Sequence, residues 1–268
     1  VFKVFNEFTG YMPKWGMITG VRPAKTASEL SAEGMSDKDI LEYFKKRFYV
    51  SDKKALLALN VSKAEREILA SNTDKDLSVY IGIPFCPTRC LYCSFTSYPI
   101  DRYAKKADEY IEYLARELEF VKESIKGRNL RSVYIGGGTP TSLSDEQFKR
   151  LMEIVSEKFD ISQTDEFTVE AGRPDTITYG KLKAMAEANV SRISVNPQTM
   201  NQKTLDLIGR RHSVEDIRKA FYMARENGFG NINMDLILGL PEEILADVEN
   251  TMKEVEKLSP ESVTVHTL

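Results

Sequence analysis

From Leu77 onward, short β-rich apolar runs alternate with longer stretches in which apolar residues recur every third or fourth position. "LSVYIGI" (77–83), "RSVYIGG" (131–137), "DEFTVEA" (165–171), "SRISVN" (191–196), "NINMDLIL" (231–238) and "ESVTVHTL" (261–268) read as six strands. Between the first two, Tyr103, Ala107, Tyr110, Leu114, Leu118, Val121 and Ile125 mark one face of a helix that stops near Gly127. Ser144 and Gln147 form a capping box ahead of Phe148, Leu151, Val155 and Phe159. Further helices are predicted over 175–188, 201–208 and 214–227, the last capped by Ser213, and Pro241 suits the first turn of another. Alternation of this kind predicts parallel strands joined by right-handed crossovers. Six repeats fall short of a closed eight-stranded barrel, which leaves an α/β fold of either an open, three-quarter (β/α)6 barrel or a doubly wound sheet. Both place a site at the carboxyl ends of the strands.

The first 76 residues follow another pattern. "KWGMITGVRPAK" is rich in turn formers, and helical spacing follows at Ile40, Leu41, Phe44 and Phe48, then at Ala55, Leu56 and Leu59. Residues 1–76 therefore read as a mostly helical accessory region and 77–268 as the core domain, with polar "SNTDKD" (71–76) between them. The chain opens on Val1 instead of Met and stops abruptly, so it reads as a piece of a longer protein.

Composition narrows the classes. A net charge of −3 offers no basic field to nucleic acid or an anionic membrane. No apolar run approaches the roughly 20 residues of a membrane span, and no signal peptide opens the chain. Three cysteines clustered in one short stretch argue against a secreted disulfide framework, so the expected location is the cytoplasm.

Those cysteines, Cys86, Cys90 and Cys93, carry the strongest chemical signal, in "FCPTRCLYCSF". They are open to three readings: buried apolar thiols, a structural zinc site, or a [4Fe–4S] cluster. Crowding between a strand end and a helix argues against the first. Zinc needs a fourth ligand, and the only histidines, His212 and His266, are remote in sequence. Three thiolates on a [4Fe–4S] cluster leave one iron open, as a reaction centre requires. "GGGTPT" (136–141) ends the second strand; it is either a glycine turn or a place where backbone approaches a ligand, and it lacks the dinucleotide spacing. Glu170, Gln198 and Asp235 are polar residues in or beside apolar strands. Each alone fits a satisfied buried hydrogen bond, whereas together they converge on the face carrying the cysteines and glycines.

The C-x3-C-x2-C loop after a first strand, with Tyr92 before its last cysteine, resembles the radical S-adenosylmethionine (SAM) enzymes. "VYIGIPFCPTRCLYC", "YIGGGTPT", "NPQTMNQKTLDLIGRRHS" and "NMDLILGLP" are similar to the oxygen-independent coproporphyrinogen III oxidase family and its heme-chaperone relatives, and the N-terminal "KWGMITGVRPAK" to its HemZ-type branch, described as coproporphyrinogen dehydrogenase. The resemblance implies a [4Fe–4S] cluster on Cys86, Cys90 and Cys93, whose reduced form cleaves SAM to methionine and a 5′-deoxyadenosyl radical. It implies SAM contacts at Tyr80, Tyr92, Gly137, Gly138, Thr139, Glu170, Gln198, Arg210 and Asp235. It further implies oxidative decarboxylation of coproporphyrinogen III to protoporphyrinogen IX in heme biosynthesis, or alternatively a heme chaperone without that activity. A tetrapyrrole substrate, an electron donor such as flavodoxin or ferredoxin, and no nucleic-acid partner belong to the same expectation. Arg22, Lys25, Arg173 and Arg211 are candidates to meet the tetrapyrrole carboxylates, set against a reading of each as an ordinary surface charge. Arg211 and His212 equally fit a solvated linker between helices. Two departures stand out. Phe95 occupies the position where the best-studied oxidases carry a fourth cysteine, and the family's C-terminal domain would lie beyond Leu268.

Overall fold

A computed structural model describes residues 2–20 and 22–268; Val1, and Val21 within the "KWGMITGVRPAK" stretch, lie outside the described residues. The chain divides into two compact units, with the boundary along the sequence between Asp74 and Lys75. Among the described residues the first holds four helices: α1 (Phe2–Thr9), α2 (Pro23–Ala32), α3 (Asp37–Phe48) and α4 (Asp52–Leu69). Ala27, Ile40, Phe44, Ala55 and Leu59 form its core. The turn-rich "KWGM" stretch folds onto the α3–α4 junction, where the Met17 amide donates to Phe48 O at 2.7 Å. Gly16 sits there at φ 56°, and a Cβ would lie 1.9 Å from Phe48 O, so only glycine fits.

The second unit is built on β1 (Asp76–Ile83), β4 (Asn129–Gly137), β5 (Glu166–Glu170), β6 (Arg192–Ser194), β7 (Ile232–Leu238) and β8 (Ser262–Thr267). These pair in that order, all parallel, as one open six-stranded sheet. The connecting helices are α5 (Ile100–Ser124), α6 (Asp145–Lys158), α7 (Tyr179–Glu187), α8 (Gln202–Leu207), α9 (Val214–Glu226) and α10 (Leu245–Leu258). The expected Ser144 capping box and Ser213 cap are both present: Ser144 accepts from the Gln147 amide at 3.2 Å, and Ser213 from that of Asp216 at 3.1 Å, Asp216 completing a second box. The architecture is the (β/α)6 open barrel.

Side-chain alternation explains why this parallel sheet is not apolar on both faces. Ile81 and Ile83, Val133 and Ile135, Phe167 and Val169, Ile193, Met234 and Leu236 are all buried in one core with the helices. The intervening positions, Tyr80, Tyr134, Glu170, Ser194, Asn233 and Asp235, point to the opposite face because successive strand residues alternate. That polar row lines the concave side. Two expectations change. Residues 174–176 form a 3-10 turn, and the α-helix starts only at Tyr179. Pro241 lies outside the helix that precedes β8: Glu242 adopts φ 63°, which breaks helical geometry, and α10 begins at Leu245. Among the described residues no helix is long and apolar enough to cross a membrane.

Candidate active site at the carboxyl ends of the strands

The cysteine loop leaves β1 and is held at its base by a short parallel pair absent from the sequence pattern, β2 (Phe85–Cys86) with β3 (Tyr98–Pro99). Three further contacts fix it. The Leu91 amide donates to Ile208 O at 3.1 Å, Thr88 Oγ1 to Gly209 O at 3.2 Å, and the Thr139 amide to Phe85 O at 2.7 Å. The loop is thus tied to both the glycine stretch and the α8–α9 turn.

A cavity of about 300 Å³ opens beside it. Cys86, Cys90 and Cys93 line it together with Tyr92, Gly137, Gly138, Thr139, Glu170, Gln198, Arg210 and Asp235. Of the twelve site residues named from sequence, Tyr80 alone is not on this wall. Its ring stacks on Tyr134, centroids 5.6 Å apart, one strand away. Thr267 at the end of β8 reaches the same cavity as Gly137 at the end of β4, so the open sheet curls around it.

The glycine stretch brings backbone into close quarters. A Cβ on Gly138 would lie 2.7 Å from Phe85 O, 2.9 Å from Ile83 O and 3.0 Å from Cys86 Sγ. Gly137 sits at φ 103°. Gln198 follows β6 with φ 68°, and its backbone bridges to β7: its amide donates to Asp235 O and its carbonyl accepts from the Ile237 amide, each at 2.9 Å. This left-handed turn aims Gln198 at the cavity.

Charge and polarity are organised across the concave face. Tyr134 OH donates to Glu170 Oε1, and Asn233 Nδ2 donates to Asp235 Oδ1 at 2.7 Å. Burial first, then the nearby Asp235 charge, pushes Glu170 above the usual carboxylate range, against the Tyr134 and Gly137 hydrogen bonds. Arg210 is buried; its Nη1 donates to Asn196 O at 2.5 Å and its Nη2 to Tyr92 OH at 3.2 Å. Burial pushes the Tyr92 phenol up to about 12, against the pull of Arg210, so it stays protonated.

Two expectations about cations are corrected. Arg173 is buried instead of solvent-exposed, with its guanidinium engaged by Asp175, Thr88 and Cys90. It is not free to meet a substrate carboxylate. His212 is likewise buried, within 3.2 Å of Asp175, while Arg211 is exposed. Arg22 and Lys25 belong to the helical unit, and Lys25 pairs with Glu29 at 3.7 Å. Tyr134, Asn196 and Asp175 were missed from sequence. For Tyr134 a signal existed, since it shares the period-two face with Glu170.

The residues present fit the cluster and SAM that the resemblance implies. The donor set is three thiols on one loop facing one cavity, although among the described residues no group of three His, Cys, Asp or Glu is already gathered as a closed metal cage. More telling, Gln198 Oε1, Asn196 Oδ1 and Arg210 Nε are buried with no hydrogen-bond partner in the protein, and all three residues line the cavity. Buried polar atoms are nearly always satisfied, so an unpaired group of this kind points to a polar ligand.

Comparison with known proteins agrees. Residues 80–255 match the family model described as the Radical SAM superfamily. The oxygen-independent coproporphyrinogen-III oxidase-like protein HemZ of Bacillus subtilis is 40% identical over 272 residues, covering 99% of this chain and 54% of that protein. The heme chaperone HemW of the same organism is 40% identical over 192 residues, covering 71% of this chain and 50% of its own. The structure of coproporphyrinogen III oxidase, HemN, from Escherichia coli superposes with a TM-score of 0.65 at 31% identity, covering 76% of this chain and 47% of that one. The chain spans about half the length of the curated relatives it matches.

Proposed function

This chain belongs to the radical SAM superfamily, whose members use a [4Fe–4S] cluster and SAM, and we propose that within it the protein oxidatively decarboxylates coproporphyrinogen III to protoporphyrinogen IX. The observation that carries the substrate class is the extent of likeness to the oxidase-like relative, which runs through the N-terminal helical unit as well as the core. The heme-chaperone match covers a smaller share of the chain.

In this reading Cys86, Cys90 and Cys93 hold the cluster. Gly137 and Gly138 present backbone to SAM, and Thr139, Glu170, Gln198, Arg210 and Asp235 bind its polar groups. Tyr92 orients Arg210 through the bond between Arg210 Nη2 and its hydroxyl. Tyr80 and Tyr134 form an aromatic wall beside them. Bound there, the reduced cluster and SAM supply a carbon radical able to take a hydrogen atom. The net reaction removes one hydrogen atom and one carboxylate, as carbon dioxide, from each of two propionate side chains. Each conversion leaves a vinyl group and passes one electron to an acceptor. The protein's own work is to orient these groups and exclude water. An external donor such as flavodoxin or ferredoxin would supply the electron that this chemistry consumes.

A second reading, heme transfer without decarboxylation, is favoured by one residue. Phe95 stands at the cavity where the resemblance places a fourth cysteine in the oxidases. The experiment is anaerobic incubation of the reconstituted full-length protein with SAM, reduced flavodoxin and coproporphyrinogen III, followed by porphyrin chromatography. Vinyl products are expected. Transfer of heme to an acceptor hemoprotein with no vinyl product would replace this reading with the chaperone one.

A further inference from the structure

One buried charge in the site is not accounted for by binding SAM. In "EAGRPD" (170–175), Arg173 is 3% exposed and lines the cavity beside the cysteine loop. Its Nε and Nη2 donate to Asp175 Oδ1 and Oδ2, each at 3.0 Å, a bidentate clamp that fixes the plane of the guanidinium. Asp175 Oδ1 is also 3.2 Å from His212 Nδ1, and the His212 side chain is wholly buried. The remaining terminal nitrogen, Nη1, donates to Thr88 Oγ1 at 3.1 Å and approaches Cys90 Sγ at 3.7 Å.

Burying a cation is costly unless it is paired, and one carboxylate already supplies the partner. A brace for the loop could be uncharged; Thr88 and the backbone bonds already supply neutral ones. What a guanidinium adds is a positive charge and an N–H donor at a sulfur that would bind iron. Hydrogen bonds to cluster sulfurs and the local charge set the reduction potential of iron–sulfur centres. A cation so placed stabilises the more negative, reduced cluster.

We propose that Arg173 is a positioning residue that raises the reduction potential of the cluster by donating to the Cys90 sulfur, and that Asp175 and His212 hold it in register. The inference rests on the assignment of the cluster to Cys86, Cys90 and Cys93 and is independent of the substrate. Lysine is not an equivalent replacement. It keeps the charge, but a single ammonium lacks the planar fork that spans Asp175 and Cys90 together.

The test uses the full-length protein with the cluster reconstituted anaerobically, without SAM, as parent, Arg173→Gln and Arg173→Lys. Iron and sulfide content are measured, and the midpoint potential is read by a redox titration followed by electron paramagnetic resonance. Arg173→Gln is expected to hold parental iron, with its reduction equilibrium weakened at least tenfold, which is 59 mV more negative for a one-electron couple. Arg173→Lys is expected to fall between the two. An unchanged potential in loaded Arg173→Gln overturns the proposal, whatever its iron content, because a purely structural brace predicts that result. If Arg173→Gln does not load, Arg173→Lys decides: a more negative potential supports the role and a parental one refutes it. Full iron in Cys90→Ala would instead remove the cluster assignment beneath it.

Discussion

Tyr134 and Glu170 lie 36 residues apart in sequence, and the Tyr134 hydroxyl donates to Glu170 Oε1 across the neighbouring strands β4 and β5. The same ring lies nearly parallel to Tyr80, at 12°. Burial first, then the Glu170 hydrogen bond, pushes the Tyr134 phenol far above its ordinary value, so it remains a donor throughout the physiological range. Tyr134→Phe keeps the ring stack and removes only the donor. SAM affinity is expected to weaken by about 1–2 kcal/mol, or roughly five- to thirty-fold, if Glu170 grips the ligand from this fixed rotamer. Calorimetry on the cluster-loaded variant checks it, and parental affinity would free Glu170 from that role.

Gly138 and Gly82 are near neighbours with opposite expectations. A Cβ at Gly138 meets backbone oxygens and Cys86 Sγ at 3.0 Å or less, whereas one at Gly82 meets only Tyr80 Cε1 at 3.6 Å. Gly138→Ala must shift β2 or the cysteine loop. It should lower the melting temperature, abolish measurable SAM binding and cost about 1–3 kcal/mol through overpacking. Gly82→Ala should stay within roughly 0.5 kcal/mol of the parent. Equal melting temperatures for the two variants would contradict this geometry.

Single Cys→Ala changes at Cys86, Cys90 and Cys93 should each lower anaerobically reconstituted iron from about four per chain to a small fraction. Their fold should be retained, because all three side chains are partly exposed and outside the hydrophobic cores. Iron and sulfide assays with circular dichroism separate loss of metal from loss of structure. Stoichiometric zinc in protein purified without oxygen would point to a different centre.

Glu170 makes stability depend on pH. Its folded value is raised above 4.5, burial being the largest cause, so the folded protein holds this proton more tightly than the unfolded chain does. Stability from this group is therefore lost as pH rises from near 4.5 through the folded value. Glu170→Gln cannot ionise, and its amide oxygen still accepts from Tyr134. Relative to the parent, the variant should gain stability across that window and then level off, while losing SAM affinity about ten-fold or more. Urea unfolding of the apo-proteins at several pH values measures the first effect. A pH-independent difference between them would mean that Glu170 titrates normally.

The alternation of apolar and polar positions determined the six strands, their helical connections and the parallel class, because period-two and period-3.6 patterns are local properties of the chain. The same alternation made the concave row legible, since Glu170 and Asp235 fall between buried core positions. The cysteine loop was legible too, its three cysteines lying within eight residues. Other features depended on contacts between distant segments. The pairing of β2 with β3 involves only two residues on each side, too few to leave a pattern. Pro241 fits a helix start by composition, but the left-handed backbone at Glu242 delays α10 to Leu245. Arg173 reads as a surface charge until the fold brings Thr88 and Cys90, more than 80 residues earlier, to its guanidinium, with His212 behind Asp175. Gln198 Oε1, Asn196 Oδ1 and Arg210 Nε are unpaired only because the strands that surround them close off water without supplying a partner. Residue type and spacing are written along the chain, whereas burial and hydrogen-bond satisfaction exist only once distant segments meet, and here those decide which polar atoms remain for a ligand.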